Sequence, residues 1–138
     1  MAASVSPRLG DVAVGDELPP LDVPLTRSLI VATAIASRDY TEVHHDPDYA
    51  IERGSRDIFM NILSTNGFVG RFVTDWAGPD AVLKKVSIRL GAPNHPGDTM
   101  RMTGVVSAKS ETAVEVSVRG ANSLGDHVTG TVTVTLPA

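Results

Sequence analysis

Apolar and polar residues alternate with a period of two along the whole second half of the chain. Val86, Ile88 and Leu90 oppose Lys85, Ser87 and Arg89, and Met100, Met102, Gly104 and Val106 oppose Thr99, Arg101 and Thr103. Val114, Val116 and Val118 oppose Glu115, Ser117 and Arg119, and Val128, Val132, Val134 and Leu136 oppose Thr129, Thr131, Thr133 and Thr135. Successive strand residues point to opposite faces, so each run reads as a strand with one buried face. The breaks "GAPNHPGD", "AKSE" and "NSLGD" carry turn residues, and together the runs predict an antiparallel meander.

The first half follows a helical period. In "LTRSLIVATAIASRDY", Thr26 is a capping candidate, and Leu29, Ile30, Thr33, Ala34 and Ser37 follow at helical spacing, with fraying expected near Asp39. In "MNILSTNGFVGRFVTDWAGP", Ile62, Asn66, Val69, Val73 and Trp76 form one stripe, with Thr65, Phe68 and Phe72 beside it. Gly67 and Gly70 would each cost about 1 kcal/mol in a helix interior, which close packing against a sheet would offset. Gly78-Pro79 ends this helix. Residues before Pro24 read as a lead-in with room for one short strand. Helices followed by strands predict an α+β domain in which one long helix lies on a curved antiparallel sheet.

Composition narrows the function. A chain of 138 residues, 42% hydrophobic, suits one domain spanning residues 1–138. A net charge of −4 argues against nucleic acid and anionic lipid as partners. No cysteine is present, so disulfides, thiolate metal sites and Cys nucleophiles are excluded. No secretion-type leader and no bilayer-length apolar run is visible, and a cytoplasmic location is expected. Nucleotide-binding glycine motifs and the Gly-x-Ser-x-Gly element are missing as well.

Candidate chemistry concentrates in "ASRDYTEVHHDPDYA", residues 36–50. A metal site is disfavoured, because adjacent His44 and His45 point apart in regular structure and the His-Glu-x-x-His spacing is absent. Two readings of Asp39 and His44 stay open on spacing alone. They form an acid–base pair across a short non-helical segment, or Asp39 ends a helix and His44 is a structural histidine. Asp46-Pro47 reads as the start of a further helical turn, with Asp46 at the N-cap and Pro47 at N1.

The segment resembles the hydratase motif of the MaoC-like (R)-specific enoyl-CoA hydratases, which have the hot-dog fold. Ser37, Asp39, Val43, His44, Asp46, Tyr49 and Ala50 match the pattern, while Arg38, Thr41 and Glu42 stand at its Gly, Asn and Pro. "VGDELPPLDVPLT", "GAPNHPGDT" and "NSLGDHVTGTVTVTLP" extend the likeness over nearly the whole chain. "VHHD", "DIFMNIL" and "VTDWAGP" are similar to the small MaoC-like subunit of actinobacterial steroid side-chain hydratases. The resemblance implies that Asp39 and His44 activate water for addition to a trans-2-enoyl-CoA. It also implies that the backbone N–H of Asn61, in the place of the family's Gly, holds the thioester oxygen, with Thr41 and Ile62 beside the substrate. No cofactor is implied beyond the coenzyme A carried by the acyl-CoA substrate. The implied partner is a second MaoC-like subunit in a heterodimer or heterotetramer, with a homodimer as the alternative. Two other functions fit the same residues: a (3R)-hydroxyacyl-ACP dehydratase and a non-catalytic hot-dog partner subunit.

Among smaller features, Lys84, Lys85 and Arg89 read as a solvated strand face or as contacts for CoA phosphates. Trp76 reads as core or interface, His95 as an exposed turn residue, and Ser64 and Thr65 as core or as the lining of an acyl tunnel.

Overall fold

The computed structural model describes residues 2–138. Five antiparallel strands form one sheet: β1 (Leu21–Pro24), β2 (Val82–Leu90), β3 (Thr99–Lys109), β4 (Ala113–Asn122) and β5 (Gly125–Thr135). Helices α1 (Arg27–Ala36), α2 (Pro47–Glu52) and α3 (Ile62–Ala77) lie between β1 and β2 in sequence. This is the expected α+β hot-dog architecture, a curved sheet around one long helix. No helix among the described residues is long and apolar enough to cross a membrane.

The strand order is β1-β3-β4-β5-β2, so only β3, β4 and β5 form a meander. β2 leaves sequence order to pair with β5 (Val86↔Val132, Ile88↔Gly130), and β1 pairs with β3. Alternation states which face a residue occupies and is silent about which strand it pairs with. Register shifts at Leu83/Lys85, Val106/Ala108 and Gly120/Ala121 bend the strands and deepen the concave face.

The alternating positions behave as their pattern requires. Met100, Met102, Val106, Val114, Val116, Val118, Val128, Val132 and Val134 are all buried. Leu90 departs from the pattern and stays 42% exposed at the end of edge strand β2. From α3 the core receives Thr65, Phe68, Val69, Phe72, Val73 and Ala77. The buried face therefore takes Val69 and Val73 from the expected stripe together with the row beside it, whereas Asn66 and Trp76 are partly buried and Ile62 is 49% exposed.

The two α3 glycines do not share a role. Gly70 sits 3.7 Å, measured from a notional Cβ, from Leu83 of β2, whereas Gly67 faces open space. Close packing thus accounts for Gly70 and not for Gly67. Sheet and helix also approach closely at Gly104, where a Cβ would lie 2.8 Å from the Phe72 ring. At the far end of α3, Gly78 adopts φ 76°, and a side chain there would also strike Ser6.

One buried polar pair links α3 to the sheet. The His127 Nδ1–H donates to the Ala92 carbonyl at 2.7 Å, so Nε2 accepts from the Thr65 hydroxyl at 2.8 Å. Desolvation lowers the pKa of this 3% exposed imidazole, against the smaller raising effect of the Ala92 bond.

Two outcomes follow for stability. Gly104→Val forces the Phe72 ring to move and should cost about 1–3 kcal/mol in a denaturant titration. Because the folded pKa of His127 is depressed, its contribution is whole above the unfolded value of about 6.5 and is lost as pH falls below it. Unfolding free energy should therefore drop between about pH 7 and pH 5.5, with a shallower slope in His127→Gln.

Candidate active site

The site is assembled where the C-terminus of α1 meets the N-terminus of α3. α1 starts at Thr26, whose side chain accepts from the Leu29 N–H at 3.0 Å. It ends in a tight reversal: Arg38 N–H donates to the Ile35 carbonyl and Asp39 N–H to the Ala34 carbonyl, both at 2.9 Å. This is the double bond of a Schellman cap, which places the residue after the C-cap in the left-handed region. That residue is Arg38, at φ 57°, the one non-glycine with positive φ among the described residues. The reversal explains why a glycine suits this place, and it aims Asp39 back toward α3.

The Thr41 N–H reaches Asp39 Oδ1 at 3.3 Å, and residues 42–44 then form one 3-10 turn. His44 is 8% exposed, and its Nδ1–H donates to the Phe59 carbonyl at 2.7 Å. Its Nε2 faces Asp39 Oδ2 at 3.4 Å. A carbonyl accepts only, so Nδ1 carries a proton and Nε2 is the ring atom left for exchange. His45 turns the other way, with Nε2 at 3.1 Å from the Tyr40 carbonyl, as expected of adjacent histidines. Asp46 caps α2 by accepting from Tyr49 N–H at 3.2 Å, with Pro47 in the first turn.

Asn61 is the N-cap of α3 and is 2% exposed. Its side chain points into the site: Oδ1 accepts from the Ser64 N–H at 3.3 Å and from the Ser64 hydroxyl. Nδ2 donates to Asp39 Oδ2 at 3.1 Å and to Ser37 Oγ at 2.9 Å. Hydrogen bonds from Thr41 foremost, opposed by partial burial and aided by Asn61 and the nearby His44, hold Asp39 below its ordinary pKa. Asp39 is thus the hub of the site, in contact with His44, Thr41 and Asn61. Ile62 stands at the first turn of α3, half exposed.

The loops behind the site were not legible as support. His95, expected to be exposed, is 7% exposed, and its Nδ1–H donates to the Ile58 carbonyl at 3.0 Å. The Phe59 ring lies between the two histidines, edge-on to His44 at 5.0 Å and to His95 at 6.3 Å. Phe59 N–H donates to the Val43 carbonyl and Met60 N–H to the Asn94 carbonyl. Asn122 Nδ2 holds Pro93 and Asn94, and Ser123 holds Asp98. The "GAPNHPGDT" and "NSLGDHV" segments therefore brace residues 58–60, which deliver Asn61. An Asn immediately before an apolar helical run is a cap signal that identifies Asn61 from sequence; nothing local marks Phe59 or His95.

Thr65 is fully buried on His127 and belongs to the core, whereas Ser64 also lines an open groove. The groove runs between α1 and α3 and holds about 360 Å³, with Thr33, Ala36, Ser37, Leu63 and Gly67 on its walls. Trp76 is partly buried against the core near Pro19 and Pro20. Lys84, Lys85 and Arg89 are exposed on β2. The cap assignment at Asp46 is checked by Asp46→Ala, which should lower stability by about 1 kcal/mol in thermal unfolding and leave the Asp39–His44 pair in place.

No protein-family model matches the chain. It is 48% identical over 123 residues to the 3-oxo-4,17-pregnadiene-20-carboxyl-CoA hydratase beta subunit of Mycobacterium tuberculosis, covering 89% of this chain and 95% of that one. Among solved structures, the ChsH1-ChsH2 complex from Mycobacterium tuberculosis contains a chain 48% identical, with a TM-score of 0.88, covering 90% of this chain and 98% of that one. The (R)-hydratase from A. caviae superposes with a TM-score of 0.81 at 23% identity, covering 92% of this chain and 98% of that one, and so shares the fold. The sequence identity, the hot-dog sheet and the motif residues gathered at the start of α3 agree, and the chain belongs to the MaoC-like enoyl-CoA hydratase family.

Proposed function

We propose that this chain is the catalytic subunit of a two-subunit hydratase that adds water across the 2,3 double bond of a bulky trans-2-enoyl-CoA. The observation that carries the reading is the Asp39–His44 pair, 3.4 Å apart at the N-terminus of α3. A water lying beside the pair and hydrogen-bonded to both Asp39 Oδ2 and His44 Nε2 gives its oxygen to C3, one of its protons passes to the pair, and C2 receives a proton from it. The two groups act as one coupled acid–base unit, so the proton is not divided between them in advance. The sum is addition of H and OH, giving a 3-hydroxyacyl-CoA of the (3R) hand that the family resemblance implies.

Negative charge gathers on the thioester oxygen as C3 is attacked. The first N–H groups of a helix have no intrahelical acceptor and carry the positive end of its dipole. In α3 the Ser64 N–H is taken by the Asn61 side chain, and the backbone N–H of Asn61 is assigned to the thioester oxygen. Ile62 and Thr41 flank the same spot. No cofactor enters, since coenzyme A arrives with the substrate.

The acyl group is assigned to the α1–α3 groove. Ser37 and Ser64 both line that groove and both bond Asn61, so it adjoins the reacting pair. Ala36, Ser37 and Gly67 leave room for a broad acyl body beside Leu63 and Phe68, and the 48% identical relative is named for a pregnadiene carboxyl-CoA. That relative's fold is known from a two-protein complex, and this chain exposes Val82 and Leu83 on edge strand β2 and Ile62 and Leu63 on α3. A second MaoC-like subunit would cover them.

Hydration of crotonyl-CoA and of a steroid-type enoyl-CoA, followed by loss of enoyl-thioester absorbance, tests the reading with and without the second subunit. Activity should require the bulky substrate and the partner, and Asp39→Ala and His44→Ala should each lower kcat by about 10²–10⁴-fold. Full activity in both variants would place the chemistry on the partner and leave this chain as its scaffold.

A further inference from the structure

The carboxylate of Asp39 is held at both oxygens, by different elements. Thr41 N–H takes Oδ1 at 3.3 Å, and Asn61 Nδ2 takes Oδ2 at 3.1 Å. Oδ2 is also the oxygen that faces His44 Nε2. The Asn61 amide has no freedom to turn over, because its Oδ1 must accept the Ser64 backbone N–H, and a backbone N–H only donates. Nδ2 is therefore committed to the Asp39 side. The residue is 2% exposed, so Nδ2 depends on Asp39 and Ser37 for partners that water does not supply there.

We propose that the Asn61 side chain is a positioning residue for the hydration reaction: its amide fixes the reacting oxygen of Asp39 to the N-terminus of α3. The role is separate from the backbone N–H of the same residue and rests on the reading of Asp39 and His44 given above. It makes the distance between the acid–base pair and the thioester-binding end of α3 a property of one side chain. The amide also supplies a donor to the charged form of Asp39, the form a water-activating carboxylate needs.

Capping and positioning separate experimentally, because serine is as good an N-cap as asparagine but has no amide to reach Asp39. Asn61→Ser is compared with wild type and with Asp39→Ala, using the complex for kinetics and 13C-edited NMR titration of the Asp39 carboxyl group. The expected result is unchanged thermal stability, a kcat lowered by about 10- to 100-fold, and a KM within about threefold of wild type. The Asp39 titration midpoint should rise. Asn61→Asp keeps the cap but sets a second carboxylate beside Asp39, and should raise that midpoint further as the two share a proton. An unshifted midpoint in Asn61→Ser overturns the proposal whatever the activity does, and so does a shifted midpoint with wild-type kcat. Retained activity in Asp39→Ala would instead overturn the functional reading, while the titration still reports whether Asn61 governs Asp39.

Discussion

Helix α3 must bury Thr65, Phe68, Val69, Phe72 and Val73 on the concave face of the sheet, and this fixes where both of its ends fall. The seat is defined closely: Phe72 rests where Gly104 leaves no side chain, Gly70 approaches Leu83, and Thr65 bonds His127. Close-packed interiors do not slide by fractions of a residue without cavities or overlap. The N-terminus of α3 is consequently a rigid reference point, and the site is built outward from it.

Around that point the chain uses short polar devices rather than apolar packing. A Schellman cap with Arg38 in the left-handed region turns Asp39 back, a 3-10 turn presents His44, and Asn61 receives both the helix end and the carboxylate. Buried polar groups are costly unless satisfied, and no buried side-chain nitrogen or oxygen among the described residues is left without a partner. Such a network has few alternative arrangements, which is how loops distant in sequence hold reacting groups at defined separations.

The electrostatic outcome is asymmetric. Asp39 gathers donors and stays charged below its ordinary pKa, whereas His44 spends Nδ1 on Phe59 and keeps Nε2 for exchange. His127, 3% exposed, is tied to a carbonyl and a hydroxyl inside the core, and desolvation lowers its pKa. One histidine thus serves the site and the other the seat of α3.

Much of this was legible without coordinates. Period-two alternation identified the inward valines and methionines, helical spacing and terminal residues identified α1 and α3, and the Asp46-Pro47 pair identified the start of α2. These signals are local: a side chain's direction follows from the backbone period, and a cap's preference follows from unsatisfied groups one turn away. The pairing of β2 with β5, the burial of His95, the open space at Gly67 and the turn of the Asn61 amide toward Asp39 were not legible. Each depends on which distant segment arrives beside the residue, and that is settled only when the sheet curls around α3 and brings residues 37–44, 58–61 and 92–98 together.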